Sequence, residues 1–588
     1  MPFYPPSWVP QLPEIPDSIS LETFMFDERY GRYPAQDSRA PFTDGLTGRK
    51  HSLSEMQQRV DHLSRALSKE LGFQAHQGTE WDKVVACFSL NCIDYLTLAW
   101  AVHRLGGILS CVNASYNASE LEYQLKDSGA KAVVTCLPLL KTTMEAVTRV
   151  GIHKSHVFLH QLPPTVTYGL SNPGLKTVDD LIEAGAELPL FKPTDFYWKK
   201  GDGEKRIAFL CYSSGTSGLP KGVMIAHRNV IANTIQFVTL EKSNRDTIRK
   251  QLGVGGYTEN CLGLLPMSHI YGLIVICHVA PYRGDGVIVL PRYEFKLLLQ
   301  AVQDFKIQML YLVPPMILHM SKQPDIVKQF DTSSVRAVFT GAAPLKEDTA
   351  KEFLKVLPRV NLLQGYGLTE TATVVCATVP QDILLGGSGS LLPGFVARIF
   401  TSEGEEVKAY GKTGELWVHS PSVVVGYLNN RKATDETFVT ADDGLRYMRT
   451  GDEALITRSQ KGNEHVFITD RIKELIKVKG HQVAPAELEG HLLTHPVVAD
   501  CVVIGVAADR EGEVPKAFVV KTSGVEGADR DIIESIIKHV ADHKSDYKRL
   551  RGGVEFIDVV PRNPSGKILR RLIRDKERAK VKRRQTKL

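Results

Sequence analysis

A segment rich in glycine and hydroxyl side chains, Ser213 to Gly222, has the residue types of a phosphate-binding loop. Its sequence is Ser-Ser-Gly-Thr-Ser-Gly-Leu-Pro-Lys-Gly, and it follows the apolar run Ile207 to Cys211, which is typical of a buried strand. Glycine lets backbone N–H groups approach an oxyanion, hydroxyls add donors, and Lys221 brings a mobile positive charge. The pattern predicts a cradle for a polyphosphate where the chain leaves a strand.

This loop differs from a Walker A loop, in which the lysine is followed at once by serine or threonine. Here Pro220 precedes Lys221 and Gly222 follows it. Composition alone is also compatible with a flexible Gly/Ser loop in solvent.

The order of residues resembles the phosphate-binding signature of acyl-adenylate-forming enzymes. These include acyl-CoA synthetases, plant 4-coumarate-CoA ligases, firefly luciferases and the adenylation domains of peptide synthetases. The resemblance implies ATP as a substrate and a carboxylic acid activated as its AMP ester. It also implies that the residues of this loop contact the nucleotide, namely Ser213, Ser214, Gly215, Thr216, Ser217, Gly218 and Lys221. Thr216 would in addition be a ligand of Mg²⁺.

A second motif, Gln-Gly-Tyr-Gly-Leu-Thr-Glu, begins at residue 364. Tyr366 offers a ring face for adenine, Thr369 a hydroxyl for the α-phosphate, and Glu370 a hard oxygen ligand for Mg²⁺. A tyrosine between two glycines also occurs in turns, but its spacing to Thr-Glu favours a site. The resemblance adds small or polar residues around the adenine: Gly341, Ala342, Ala343, Gln364, Gly365 and Gly367.

Two further residues are candidates for the ribose. Asp452, in Arg-Thr-Gly-Asp, has a carboxylate that accepts two hydrogen bonds from a diol, although an aspartate beside glycine is also common in a β-turn. The resemblance matches Asp452 to the ribose-binding position and implies that Arg471 reaches the same sugar.

Histidine 269, in Pro-Met-Ser-His, lies beside apolar residues, where a histidine is often only a core residue. The resemblance implies that His269 borders both the acyl pocket and the passage for CoA. The pocket is expected to be lined by uncharged residues: Ile270, Tyr271, Val275, Met316, Thr373 and Val374, with Gly341 beside them. An apolar acid is predicted rather than an amino acid, because an unpaired buried ammonium group is costly.

Sequence alone leaves the acid open between aryl and medium-chain or hydroxylated compounds. After Glu370 the coumarate enzymes tend to have Gly-Pro-Val, whereas this chain has Ala-Thr-Val at 372–374. Thr373 is wider at its β-carbon and carries a hydroxyl, which weakens the aryl interpretation.

The segment from Asp470 to Glu489 resembles the linker of the coumarate-CoA ligases. The resemblance implies a pivot at Lys473 and a small domain that alternates between two tasks. During adenylation Lys567 would contact the carboxylate and the α-phosphate. After rotation the small domain would present a second set to the adenylate and CoA: Lys477, Lys479, Gly480 and Gln482.

Alternating strand-like and helical patterns predict an α/β protein with doubly wound β/α subdomains. The expected organisation is an N-terminal arm (1–45), a large domain (46–470) that includes a small β-subdomain, and a mobile α+β domain with a basic tail (471–588). Within that last domain, helices are expected over 487–493 and 531–540, and strands over 497–506, 517–521 and 554–560.

Bulk properties are those of a soluble globular protein, with 588 residues, 43% hydrophobic and 23% charged. Of the formal charge of +6, residues 568 to 588 carry +8 through ten basic and two acidic side chains, which leaves about −2 elsewhere. We therefore expect no nucleic-acid partner, and no apolar run approaches the ~20 residues of a membrane span. Nine scattered cysteines without a Cys-x-x-Cys pair predict buried, reduced thiols and an intracellular protein.

The chain ends Thr586-Lys587-Leu588, which differs from the peroxisomal Ser-Lys-Leu signal only by threonine for serine. A plain basic tail and recognition by a peroxisomal import receptor both stay open. Since the first residues do not resemble a secretory signal, the expected location is the peroxisome or the cytoplasm.

The motifs favour an ATP-dependent carboxylic acid-CoA ligase that works through an acyl-adenylate, with ATP, Mg²⁺ and coenzyme A. An adenylate-forming enzyme with another acceptor is the alternative, either a carrier protein or luciferase-like oxidation. A catalytically silent nucleotide- or nucleic-acid-binding protein is less favoured, because both Lys221 and Lys567 are present.

Overall fold

The structure is a computed structural model that describes residues 2–75, 77–192, 197–213, 220–478, 481–508, 512–563 and 566–585, the last five as backbone only. Its strands are β1 Phe42–Asp44, β2 Lys50–His51, β3 Val84–Phe88, β4 Ile108–Cys111, β5 Ala132–Thr135, β6 Val157–Leu159, β7 Ile207–Ser213, β8 Lys221–Ala226, β9 Asn260–Gly263, β10 Gly286–Val289, β11 Met309–Leu312, β12 Ala337–Thr340, β13 Asn361–Leu368, β14 Thr373–Ala377, β15 Ser390–Leu391, β16 Val396–Phe400, β17 Gly414–His419, β18 Gly426–Tyr427, β19 Phe438–Thr440, β20 Arg446–Arg458, β21 Glu464–Arg471, β22 Ile476–Val478, β23 His481–Val483, β24 Val498–Ala508, β25 Gly512–Lys521 and β26 Val554–Phe556.

Helices alternate with these strands through most of the chain. They are α1 Leu21–Phe26, α2 Leu53–Leu71, α3 Tyr95–Arg104, α4 Ala118–Ser128, α5 Leu140–Val150, α6 Pro164–Thr167, α7 Val178–Ala186, α8 Asp202–Lys205, α9 His227–Leu252, α10 Ala280–Tyr282, α11 Phe295–Phe305, α12 Pro314–Lys322, α13 Pro324–Val327, α14 Glu347–Val356, α15 Arg431–Thr437, α16 Pro485–Leu492, α17 Asp529–His543 and α18 Arg570–Gln585, with a π-helix over Tyr271–Val279.

Two twisted sheets form the centre of the large domain. One has seven strands in the order β18-β8-β7-β4-β3-β5-β6, and the other has nine in the order β15-β14-β13-β12-β11-β9-β10-β1-β2. Strand β3 is buried along its whole length and pairs in parallel with β4 and β5. Such strands have no polar face because helices cover both sides of a parallel sheet. The α/β architecture predicted from the alternating pattern is confirmed.

A five-stranded antiparallel sheet follows, in the order β16-β17-β20-β19, with β21 paired to β20. Its hairpin β20–β21 ends at Arg471, and a short turn then leads into β22. The boundary expected at residue 471 therefore falls where β21 ends.

The small domain has its own sheet and core. Strands β23-β22-β25-β24 pair in that order, β26 adds to β25, and α16 and α17 supply buried residues such as Leu488 and Ile536. The expected strand 517–521 is longer, since β25 begins at Gly512, and the expected strand 554–560 is shorter, since β26 ends at Phe556. The N-terminal part of β25 was missed because it contains Pro515. Proline argues against a strand in sequence, although the hydrogen-bonding pattern of this sheet accommodates it.

All nine cysteines are buried free thiols, as predicted. Among the described residues, every helix is too short or too polar to cross a bilayer.

Candidate active site

Tyr366, Asp452 and Arg471, predicted separately for the nucleotide, form one group joined by a hydrogen bond and an ion pair. The Tyr366 hydroxyl donates to Asp452 Oδ2 at 2.7 Å, and Arg471 Nε lies 3.7 Å from Asp452 Oδ1. Antiparallel pairing of β20 with β21 sets Asp452 directly opposite Arg471. Burial raises the pKa of Asp452, while Arg471 and the Tyr366 hydroxyl act to lower it. The carboxylate is therefore fixed in position by a cation and a phenol.

Glu370 lies where the phosphate-loop strands meet the second motif. Its Oε1 accepts hydrogen bonds from Ser213 Oγ at 3.3 Å and from the Tyr427 hydroxyl at 2.9 Å. The Lys221 amine lies 4.7 Å from the centre of the Tyr427 ring, and Ser213 pairs with Lys221 across β7 and β8. The two ends of the phosphate loop thus lie beside a buried carboxylate.

Tyr427 is a site residue that the sequence did not reveal. Its Gly-Tyr context in β18 is that of a turn or strand edge, and only the pairing of β18 with β8 brings it to Lys221. The residues from Ser214 to Gly218, including the predicted metal ligand Thr216, lie outside the described residues.

The small domain contributes Lys567 to this site. Burial, reinforced by the positive charge of Arg471, lowers the pKa of its amine to about 8, although the carboxylates of Asp452, Glu474 and Glu370 act to raise it. Asp452, Arg471 and Glu370, which were predicted for the nucleotide and its metal, are thus within electrostatic reach of the amine.

The loop that carries Lys567 is built tightly. Lys567 N donates to Asn563 Oδ1 at 2.9 Å, and Asn563 N donates back to the Lys567 carbonyl at 2.9 Å. Gly566 has φ +81°, and a β-carbon there would lie 3.1 Å from Cγ2 of Val313. Glycine therefore allows this loop to pack against the strand end of the large domain.

Two hydrogen bonds from Lys322 join the large domain to the small domain, and ion pairs of Arg570 fix the start of the small domain. The Lys322 amine on α12 donates to the carbonyls of Val498 and Ala499 at 3.1 and 2.9 Å. Within the small domain, Arg570 pairs with Glu474 at 2.7 Å and with Glu489 at 2.6 Å. The turn after Arg471 is thereby tied to α16 and α18.

His269 adjoins Lys567 on the other side. Burial, reinforced by the positive charge of Lys567, lowers the pKa of His269 to about 4. The His269 Nδ1 accepts a hydrogen bond from Tyr271 N at 3.3 Å. A neutral imidazole therefore stands between the lysine and the π-helix at neutral pH.

The predicted acyl-pocket residues are all buried, and their polar atoms are bound to backbone. The Tyr271 hydroxyl donates to the Phe339 carbonyl at 2.8 Å, and Thr373 Oγ1 donates to the Ile270 carbonyl at 3.0 Å. The other members, Val275, Met316 and Val374, are apolar and less than a tenth exposed.

Backbone strain is concentrated at the edge of this pocket. Ala342, Ala372 and Thr373 have φ of +69°, +49° and +110°. For a β-branched residue such as Thr373 a positive φ is a genuine outlier. A strained backbone of this kind persists only where surrounding contacts hold it in place, and such residues cluster at functional sites. Asn233 helps to hold this backbone, since its side-chain amide forms hydrogen bonds with both the N–H and the carbonyl of Val374, at 3.1 and 2.8 Å.

The small residues expected around adenine lie at adjacent strand ends. A β-carbon on Gly341 would be 3.3 Å from the Gly365 carbonyl, and one on Gly367 would overlap the Thr373 carbonyl. Gln364 Oε1 accepts a hydrogen bond from Leu345 N at 3.2 Å, which closes the turn that contains Ala342 and Ala343. Thr369 begins a single 3-10 turn that carries Glu370.

The two described members of the second predicted set are on the surface of the small domain. Lys477 and Gln482 are paired across the hairpin β22–β23, and both are exposed, as is Lys473 in the turn before it. Lys479 and Gly480 are outside the described residues. This arrangement of the domains groups Lys567, and not Lys477 or Gln482, with Asp452.

Comparison with known proteins agrees with this geometry. Residues 26–428 match the family model described as AMP-binding enzyme, and residues 487–567 match that of the AMP-binding enzyme C-terminal domain. The chain is 39% identical over 580 residues to acyl-CoA ligase AFT1-1 of Alternaria alternata, covering 98% of this chain and 97% of the relative. It is 38% identical over 579 residues to acyl-CoA ligase AKT1 of the same fungus, covering 98% and 97%. The crystal structure of the anthranilate CoA ligase AuaEII in complex with anthranoyl-AMP is similar in fold, with a TM-score of 0.78, 22% identity, and coverage of 96% of this chain and 99% of the other.

Proposed function

This chain belongs to the AMP-binding enzyme family and is an AMP-forming acyl-CoA ligase; we propose that its acid substrate is a monocarboxylic acid with an uncharged, apolar tail. The observation that carries the proposal is the state of the polar groups in the predicted pocket. The hydroxyls of Tyr271 and Thr373 both donate hydrogen bonds to backbone carbonyls. A charged tail buried there would have no partner among these residues, at a cost of several kcal/mol.

This pocket favours a medium-chain aliphatic acid over a hydroxylated one. The Thr373 hydroxyl, which in sequence weakened the aryl interpretation, already donates a hydrogen bond to the Ile270 carbonyl and can therefore only accept one from a substrate hydroxyl. An unsubstituted chain needs no such contact. The side chains of Val275, Met316 and Val374 are buried and apolar, and they suit a tail that is held by van der Waals contact alone.

The residues divide over the two half-reactions as follows. In the first, the carboxylate attacks the α-phosphorus of ATP, pyrophosphate leaves, and the charges of Lys567 and Lys221 stabilise the phosphates. Asp452 and Arg471 hold the ribose, and Thr369 contacts the α-phosphate. In the second, the CoA thiol attacks the acyl carbon and AMP leaves.

Glu370 fits the part of a magnesium ligand. Its carboxylate is a hard oxygen donor, and hydrogen bonds from Ser213 and Tyr427 to one oxygen hold it in place. Mg²⁺ would supply charge neutralisation to the departing pyrophosphate. Thr216 is the second proposed ligand.

A panel of acids tests the substrate proposal through CoA-dependent release of AMP. We expect kcat/KM to be highest for apolar monocarboxylic acids, and at least about 100-fold lower for amino acids and dicarboxylic acids of the same length, because their extra charge is buried unpaired. An amino acid or a dicarboxylic acid as best substrate would contradict the proposal.

Thr373→Val keeps the branched shape of the side chain. It should therefore leave the ratio of kcat/KM for hydroxylated and unsubstituted acids within about twofold of the original, the scale of a lost non-specific contact. Loss of the hydroxylated acid alone would restore Thr373 as a specificity residue.

The pH dependence tests the role of Lys567. The amine must be protonated to act on phosphate, and its pKa is lowered to about 8. We therefore expect kcat/KM for ATP in pyrophosphate exchange to fall as pH rises through about 8. The limb in kcat should lie at higher pH, since bound phosphate favours the charged amine. In Lys567→Arg the limb should vanish below pH ~10, because a guanidinium stays charged. An unchanged limb in that variant would assign the titration to another group.

A further inference from the structure

Four histidines lie together on one face of the small domain, away from the residues assigned to ATP. His491 is in α16 and His495 follows it, while His539 and His543 are in α17. His539 and His543 are four residues apart, a spacing that puts two side chains on the same face of a helix. The packing of α16 on α17 brings the two pairs into contact.

Three of these rings are close enough to share one ion. One nitrogen from each of His491, His539 and His543 lies within 4.8 Å of the others. The His491 and His539 rings stack at 4.3 Å between centroids, and His543 lies 5.3 and 5.4 Å from them. Side-chain rotations that turn His491 and His539 out of their parallel stack would aim the three nitrogens at one ion, at the Zn–N distance of about 2.0–2.1 Å.

The outer contacts of the rings are those of metal-binding histidines. His491 Nε2 bonds the His539 carbonyl at 3.1 Å, and His543 Nδ1 bonds the same carbonyl at 2.9 Å. His539 Nε2 faces the His491 carbonyl at 3.3 Å and the Thr494 hydroxyl at 3.0 Å. A histidine ligand typically donates its second ring N–H to a carbonyl in this way, which fixes the tautomer and orients the ring. The opposite nitrogen of each ring remains to face an ion.

The charges around the cluster are compatible with a cation. Asp542 is close enough to interact electrostatically with His539 and His543. Lys538 and Lys544, which adjoin His539 and His543 in the chain, are paired with Asp542 at 2.5 Å and with Glu487 at 3.1 Å.

We propose that His491, His539 and His543 form a binding site for one zinc-like transition metal ion, with solvent as the remaining ligand, and that this ion links α16 to α17. Imidazole is a preferred ligand of Zn²⁺. His543 is exposed, so an ion has direct access from solvent. His495 is engaged by Ser535 Oγ at 3.0 Å and serves as a neighbour rather than a ligand.

Zn²⁺ titration of the chelator-treated full-length protein tests this site. We expect one Zn²⁺ bound per chain, a higher melting temperature with Zn²⁺, and a visible absorption band when Co²⁺ is used instead. His539→Ala and His543→Ala should each weaken Zn²⁺ binding by more than the ~10- to 100-fold that loss of an outer-shell partner costs. His543 is exposed, so its variant is expected to fold even if the His539 variant does not, and circular dichroism checks both.

The matched control is a second histidine pair, His153 and His156, whose rings lie 6.4 Å apart on the large domain. Replacing both by alanine should leave the bound Zn²⁺ in place. Absence of stoichiometric binding, equal binding in the His543 variant, or loss of binding in the control would each overturn the proposal.

Discussion

Replacement of Lys567 by alanine slows acyl-adenylate formation by about 10²- to 10³-fold, the usual cost of losing one preorganised electrostatic group. A supplied acyl-adenylate still reacts with CoA at close to the original rate. The two half-reactions differ because the Lys567 amine is close to Asp452, Arg471 and Glu370 in this arrangement of the domains. Rotation of the small domain about the turn at Lys473 would withdraw it before the thiol attacks.

Pyrophosphate exchange measures the first half-reaction, and release of AMP from a supplied acyl-adenylate measures the second. Lys521→Ala is the matched control, since that lysine is also in the small domain but pairs with the exposed Asp529 at 2.9 Å and lies 4.7 Å from the centre of the Phe556 ring. It should alter neither half. Lys477→Ala should show the opposite pattern from Lys567→Ala, with the larger loss in thioester formation. Equal losses in both halves for Lys567→Ala would refute this division of labour between the lysines.

The sequence identified most members of the site singly but not their contacts. Asp452 was predicted for the ribose and Tyr366 for the adenine, yet their hydrogen bond of 2.7 Å was not foreseen. It depends on how the end of β13 meets β20, an arrangement of two sheets that no local pattern encodes. The pairing of Asp452 with Arg471 depends on a hairpin register that shifts between Glu453 and Ala454.

Other features escaped because their local patterns are ordinary. Tyr427 follows a glycine in a two-residue strand, and its contact with Glu370 spans 57 positions. The His-x-x-x-His spacing at 539 is typical of any polar helix face, and His491 joins it only because α16 packs on α17. Long-range contacts of this kind are set by tertiary packing, whereas helix and strand periodicity reflects neighbours in sequence. The strands and helices of the small domain were accordingly predicted well in kind and less well in length.

Replacement of Glu370 by glutamine slows adenylation by about 100-fold and raises the Mg²⁺ concentration needed for half-maximal rate. The substitution is nearly isosteric, and its amide oxygen can still accept from Ser213 and Tyr427, so that the loss is one of charge. Binding of Mn²⁺ in the presence of ATP, followed by electron paramagnetic resonance, gives a readout that is independent of turnover and should weaken in parallel.

Tyr427→Phe is the control that separates charge from position. It removes the 2.9 Å hydrogen bond to Glu370 but keeps the carboxylate and the ring beneath Lys221. Because the carboxylate charge is kept and only its position is loosened, the effect on rate should be smaller than that of Glu370→Gln. A Glu370→Gln enzyme that is slow but has unchanged Mg²⁺ dependence and unchanged Mn²⁺ binding would exclude Glu370 as a metal ligand. Its carboxylate would then act through Lys567, whose pKa it raises, and the alkaline limb near pH 8 would move downward in the variant.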